Sequence, residues 1–208
     1  MSENPRARGA TTILAEIASV VFAVLLALAV DQWWEDRERA QFADRALASI
    51  AEEMRGNRDQ LLKDTLALAP APVLATLDSA VHVIRTGGEP LGGVAVTWSA
   101  ALLSSAAWET ARMTGATEEI ALERVIDLAQ LYEFQRVFSE VQAGLSSTML
   151  DLAARMEQEP LAALLEFRGR YAHAASLRQT LSTLYACQLV ALEGPDADEA
   201  GDCPRPLD

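Results

Sequence analysis

Residues 13–30 read ILAEIASVVFAVLLALAV, and Asp31-Gln32-Trp33-Trp34 close the stretch. Only Glu16 and Ser19 interrupt an otherwise apolar run. A bilayer core needs about 20 mostly apolar helical residues at roughly 1.5 Å rise each, so with its flanks this run is long enough to cross one. Two other readings compete. Ala27-Leu28-Ala29 has the small-x-small form of a signal-peptide cleavage site, with Arg6 and Arg8 as a basic leader. A buried core helix is the third. The flanks favour the span: no turn signal follows Ala29, and the pattern runs through Trp33-Trp34 into Glu35-Asp36-Arg37-Glu38-Arg39 with no Gly or Pro before Gly56. Paired tryptophans closing an apolar run fit the interfacial belt, where an amphipathic ring sits at headgroup level. The expectation is a transmembrane helix over 12–34, with Trp33 and Trp34 at the membrane interface and residues 1–11 as a leader.

Charge gives the orientation. The leader carries Arg6, Arg8 and the terminal amine against Glu3, whereas the far flank has no positive excess. The positive-inside rule places the leader in the cytoplasm and the body outside it. Glu16 stands about one turn into the apolar run, where a carboxylate is a functional candidate by default. It can also reach the interface, pair with Arg8, or pair with another subunit's span.

The residues Ile13-Leu14-Ala15-Glu16-Ile17, Val24-Leu25-Leu26-Ala27-Leu28-Ala29-Val30 and Asp31-Gln32-Trp33-Trp34-Glu35-Asp36-Arg37 resemble the opening of an uncharacterised family of bacterial single-pass membrane proteins. There, a Glu-bearing apolar helix ends in Asp/Asn-x-Trp-Trp/Asn-Glu-x-Arg and runs into a long charged helix. A second match is Trp108-Glu109-Thr110-Ala111-Arg112-Met113-Thr114-Gly115-Ala116, followed by a helix containing Leu131-Tyr132. The resemblance covers about the first 140 residues. It implies a topology and a fold, and no activity. With the charge reading it implies a single pass through the inner (cytoplasmic) membrane, N-terminus cytoplasmic and C-terminal domain periplasmic.

The chain has 208 residues and a formal charge of −13. Residues 1–34 carry Arg6 and Arg8 against Glu3, Glu16 and Asp31, a net −1, which leaves −12 on the remainder. That size suits one domain. Such an acidic body argues against nucleic acid and against a peripheral grip on anionic lipid, since both need basic surface.

The body reads as all-α. β-branched residues are scattered, while Ala, Leu, Glu, Arg and Gln dominate. A first helix continues to about Leu68, with Ala40, Ala43, Leu47, Ile50, Met54 and Leu61 as one stripe. Asn57 falls on that stripe, where a polar residue can set register or mark a loosening beside Gly56. Pro70-Ala71-Pro72 is expected to end it. A helix over 73–85 precedes a Gly-rich loop over 86–93. The third helix is expected over 98–114 with Thr97 as its cap and Gly115 past its end in left-handed geometry. Thr117 is expected to cap a fourth helix that uses Leu122, Val125, Leu128, Tyr132 and Phe138 and ends near Met156. A fifth starts at Glu159-Pro160 and stops at Gly194-Pro195. Short connections between long helices give an antiparallel bundle over 35–194. Residues 195–208, acidic and rich in Gly and Pro, read as a disordered tail.

No catalytic signature appears: no H-E-x-x-H, C-x-x-C or phosphate-binding glycine loop. Asp78 and His82 share a helix face but make half a metal site. Glu52-Glu53 reads as a solvated face. Trp98 and Trp108 read as core, or as the wall of a pocket between helices. Cys187 and Cys203 are the only cysteines. Outside the cytoplasm they are candidates for a disulfide closing a loop of about 15 residues, and otherwise a buried thiol and a tail thiol. No cofactor or metal is expected. The chain thus reads as a non-enzymatic, membrane-anchored envelope protein. Its partners are the bilayer and a protein, or a second copy of itself, and its role is interaction or scaffolding. The alternative is a ligand-binding sensor acting through a partner membrane protein.

Overall fold

The computed structural model describes the backbone of residues 5–63, 70–88 and 100–193, and the side chains of residues 19, 21–62, 70–88 and 100–193. Among these residues every regular element is helical. They are α1 (Pro5–Lys63), α2 (Pro70–Arg85), α3 (Ala106–Met113), a short 3₁₀ turn (Ala116–Glu119), α4 (Leu122–Gln158) and α5 (Pro160–Glu193). The chain divides into two compact units, Met1–Arg45 and Ala46–Asp208.

In the first unit, α1 presents an apolar surface to its surroundings. Phe22, Leu25, Leu28 and their neighbours are exposed, as are Trp33 and Trp34 at 56% and 61%. The two indoles meet edge to face with centroids 5.7 Å apart, and the Arg37 guanidinium lies 5.7 Å over the Trp33 ring. Arg39 pairs with Glu35 one turn back. Among the described residues no helix is long and apolar enough to cross a membrane. The run 13–30 is only partly among them, because the side chains of 13–18 and 20, Glu16 included, lie outside the described set.

The second unit is a helical bundle organised on one hairpin. A single residue, Glu159, joins α4 to α5, and its backbone (φ −139°, ψ 64°) leaves the α region that a following proline disfavours. Pro160 then occupies a first-turn position where no N–H is needed. The hairpin is antiparallel. Leu128, Leu131 and Phe138 of early α4 pack with Leu181, Tyr185 and Leu189 of late α5, and Leu145 packs with Leu164, Phe167 and Tyr171. Ile50, Met54 and Leu61 of α1, with Trp108 and Ala111 of α3, complete the core at one end. Leu77, Ala80 and Val81 of α2 complete it at the other. Ion pairs cross the seams: Arg55 to Glu193, Arg168 to Asp78, and Arg155 to Glu166 at 2.6 Å.

Several expectations are corrected. Pro70-Ala71-Pro72 opens α2 instead of closing α1, because the first four N–H groups of a helix have no intrahelical acceptor and proline there costs little. The third helix begins at Ala106, since residues 100–105 are non-helical; Trp98 and Thr97 lie outside the described residues. Thr117 sits within the 3₁₀ turn, and α4 starts at Leu122 without a side-chain cap. Leu122 is exposed. Gly56 does not interrupt α1. The tail expected over 195–208 lies outside the described residues.

Two glycines end helices as their chemistry requires. Gly87 (φ +81°) donates to Ile84 O and Gly88 to Val83 O, the paired bonds of a Schellman cap. Gly115 (φ +74°) turns the chain from α3 into the 3₁₀ segment, and its N–H reaches Arg112 O. A Cβ there would meet only Glu118 at an ordinary 3.5 Å, so the penalty is conformational rather than a clash. Gly115→Val is expected to destabilise the bundle by roughly 1–2 kcal/mol in denaturant melts. An unchanged midpoint would show that this turn is free to rearrange.

Candidate functional site

Residues 100–105 cross the bundle without a helical ladder, so their backbone groups need other partners. Two amide side chains supply them. Asn57 of α1 accepts from Ser104 N–H (2.8 Å) through Oδ1 and donates to Ser104 O (2.8 Å) through Nδ2. Gln142 of α4 does the same for Ala101, accepting at 2.8 Å and donating at 3.3 Å. Each side chain mimics a peptide group and closes a two-bond ring with the backbone.

A buried network extends from the first clasp. Gln135 Nε2 donates to Ser104 O (3.0 Å), Tyr185 Oη donates to Gln135 Oε1 (2.5 Å), and Asn57 Nδ2 lies 3.3 Å from Tyr185 Oη. Glu53, one turn before Asn57, anchors the next stretch. Its carboxylate accepts from Ser104 Oγ (2.6 Å), Tyr132 Oη (2.7 Å), Ala107 N–H (2.9 Å) and, at 3.5 Å, Trp108 N–H. The last two are free N–H groups of the first turn of α3, so a carboxylate from another helix caps α3 and faces the positive end of its dipole. The residue at the N-cap position, Ser105, makes no side-chain cap bond. Burial, then the Glu53 carboxylate, push the Tyr132 phenol well above its ordinary range. Burial raises Tyr185 as well, partly offset by the hydrogen bond from Asn57. Both phenols therefore stay neutral hydrogen-bonding groups at physiological pH and are poor proton-transfer agents there.

Beside this network an open cleft of about 600 Å³ lies between α3 and the first half of α4. Trp108 and Tyr132 stack at its base with centroids 5.5 Å apart and planes 3° from parallel. The Arg112 guanidinium lies 5.9 Å over the Trp108 ring. Val125 and Ala129 add apolar wall, and Glu109, Glu133 and Arg136 add charge at the rim.

Comparison with protein-family models, with curated proteins and with solved structures finds no match.

The candidate residues separate accordingly. Trp108 is core and cleft base together. Trp33 and Trp34 are exposed on the first unit. Cys187 is half-buried on α5 and disulfide-bonded; Cys203 lies outside the described residues. Asp78 binds Arg168 across the α2–α5 seam (Nη2 to Oδ2, 3.0 Å), and His82 is exposed. Among the described residues no group of three or more His, Cys, Asp or Glu is placed to hold a metal ion. The reading of Glu52-Glu53 as one solvated face is corrected: Glu52 is exposed and pairs with Arg55, whereas Glu53 is turned inward to α3. Gln135 and Gln142 escaped notice in the sequence. Their signal was there, because Leu128, Gln135 and Gln142 stand seven residues apart and so share a face.

Asn57→Ala empties the place of a buried side chain that bonds Tyr185 and leaves Ser104 N–H, in a part-buried setting, without its acceptor. It is expected to cost roughly 2 kcal/mol or more in urea melts, against near zero for Glu52→Ala on the surface. Equal effects would mean the clasp contributes nothing. The raised phenols give a pH dependence. Their stabilisation is fully present below the unfolded tyrosine value of 10.0 and is lost as pH rises beyond it toward the folded values. Phenolate absorbance is expected to appear with unfolding, and Tyr132→Phe to lessen the alkaline loss. Reversible ionisation of Tyr132 and Tyr185 near the ordinary value, with helicity intact, would contradict this.

Proposed function

We propose that this chain is a membrane-anchored helical-bundle module of the bacterial envelope, held by residues 12–34 and acting through interaction with a protein partner or a second copy of itself. The observation that carries the anchor is the exposed apolar surface of α1. From Val21 to Val30 its large side chains are about half exposed or more, and Trp33 and Trp34 follow them. A continuous apolar surface of that kind needs a membrane or a partner to cover it. The aromatic-then-charged exit into Arg37 and Arg39 favours the membrane. The single-pass family that the opening residues resemble has the same topology. The body lies outside the cytoplasm in this reading, and a disulfide at Cys187 suits an oxidising compartment; its partner within the chain is then Cys203. The interaction role is supported by a bundle whose buried amides Asn57, Gln135 and Gln142 are bonded within the chain, and by phenols that burial keeps protonated.

A second reading is favoured by the cleft between α3 and α4. Its size falls within the usual range of roughly 300–1,000 Å³ for ligand pockets, and it mixes apolar wall with a few charged groups. The module then senses a small ligand and passes the signal to a partner membrane protein.

Carbonate-washed membranes from expressing cells are expected to retain the chain with residues 1–30 attached, and Cys187 is expected to resist alkylation until reduction. A soluble product beginning after Ala29 would establish the cleaved signal peptide instead. Free alkylation of both cysteines would remove the oxidising-compartment argument.

A further inference from the structure

The two charged pairs on the cleft differ in a way that selects a ligand. On α4, Glu133 grips Arg136 through Nε (2.9 Å) and Nη2 (2.5 Å), and Glu140 holds the same guanidinium from the next turn. On α3, Arg112 Nη1 and Glu109 Oε2 stand 3.7 Å apart, too far for a hydrogen bond. Both side chains are about half exposed. The Arg112 Cζ lies 5.9 Å from the centroid of the buried Trp108 ring, within reach of a cation–π contact. The α3 pair thus keeps donor and acceptor capacity, while the α4 pair is satisfied.

The chemistry of the cleft excludes simpler ligands. A plain anion would meet Glu109 and Glu133 as well as the arginines, on a chain of net charge −13. A plain cation would look for an aromatic face, and Arg112 already covers that of Trp108. A neutral apolar molecule would desolvate the charged rim groups without partnering them. A ligand with adjacent opposite charges meets none of these objections.

We propose, building on the ligand-binding reading, that the cleft takes a free α-amino acid with a large apolar or aromatic side chain. Its carboxylate lies on Arg112 and its ammonium on Glu109. An α-amino acid carries both charges on one carbon, which matches a cation and an anion 3.7 Å apart on one helix face. A guanidinium fork suits a carboxylate, and the side chain then points toward Val125 and Ala129. The cleft is roomy enough for an aromatic ring beyond the charged end.

The test is calorimetric titration of the full chain in detergent micelles with four probes: L-phenylalanine, L-phenylalaninamide, N-acetyl-L-phenylalanine and 3-phenylpropanol. L-Phenylalanine is expected to bind, and each singly blocked form to bind about tenfold more weakly or worse. The variants supply a readout that mere structural damage would not produce. Arg112→Gln is expected to erase the preference for phenylalanine over its amide while keeping that over the N-acetyl form. Glu109→Gln is expected to do the reverse. Equal binding of all probes, or variants that weaken every probe alike, would overturn the amino-acid assignment. Binding of only the N-acetyl form or only the amide would also overturn it, while leaving the cleft as a site for a singly charged ligand. Binding of no probe would sink the proposal and take away the support for the sensor reading.

Discussion

The bundle depends on one constraint: backbone buried outside a helix must find hydrogen bonds. Residues 100–105 lie against α1 and α4 outside any helix, with Ala101 buried and Ser104 bonded in a part-buried setting, and two side-chain amides supply the partners. Asn57 and Gln142 each close a two-bond ring with one residue of the segment. The next stretch of chain inherits its position from these clasps. Ser104, fixed by Asn57, offers its hydroxyl to Glu53, and Glu53 caps α3. Trp108, near the start of α3, is thereby laid flat on Tyr132, and Arg112 one turn later is laid over Trp108. The cleft is the outward end of a series of contacts that begins with a buried asparagine.

Glu53 shows how one carboxylate can replace several local devices. Ser105 stands where a capping side chain would be found, yet the cap comes from a different helix. A tertiary cap couples helix formation to docking, because α3 is short and marginal by itself. It also explains why Tyr132, with its hydroxyl on the same carboxylate, keeps its proton. Such an arrangement is vulnerable at one point: a single change at Glu53 reaches the connecting segment, the helix and the aromatic stack together.

The repeating features were legible in the sequence. The all-α class, α4 and α5 with the break between them at Glu159-Pro160, the stripe through Ile50, Met54 and Leu61, and the left-handed turn at Gly115 all rest on periodicity or local backbone chemistry. Asn57 stood out because it broke an apolar stripe. Two of the failures share a cause. Residues 100–105 read as helix because Ala, Leu and Ser permit one; only the distant amides of Asn57 and Gln142 satisfy the hydrogen bonds of the alternative. Glu53 read as solvated because nothing nearby in sequence needs it, and its partners lie 54 residues away in Ala107 and 79 in Tyr132. The cleft was foreshadowed by Trp108 alone, since Arg112, Val125 and Ala129 converge on it only after α3 and α4 have docked.

The one-residue joint between α4 and α5 bears on how the bundle assembles in time. The hairpin's contacts near Glu159 are close in sequence, so closing them costs little chain entropy, and local contacts form fast. The clasp between Asn57 and Ser104 and the pairing of Asn57 with Tyr185 span 47 and 128 residues. A natural order results in which the Leu145–Phe167 end of the hairpin zips first and α1 docks last, locking residues 100–105 beneath it. Substitutions near the joint would then slow folding, whereas changes at Asn57 would chiefly hasten unfolding. The amide proton of Ser104 lies outside any helical ladder and is held by Asn57, so its exchange with solvent would time the docking of α1 rather than the fraying of a helix.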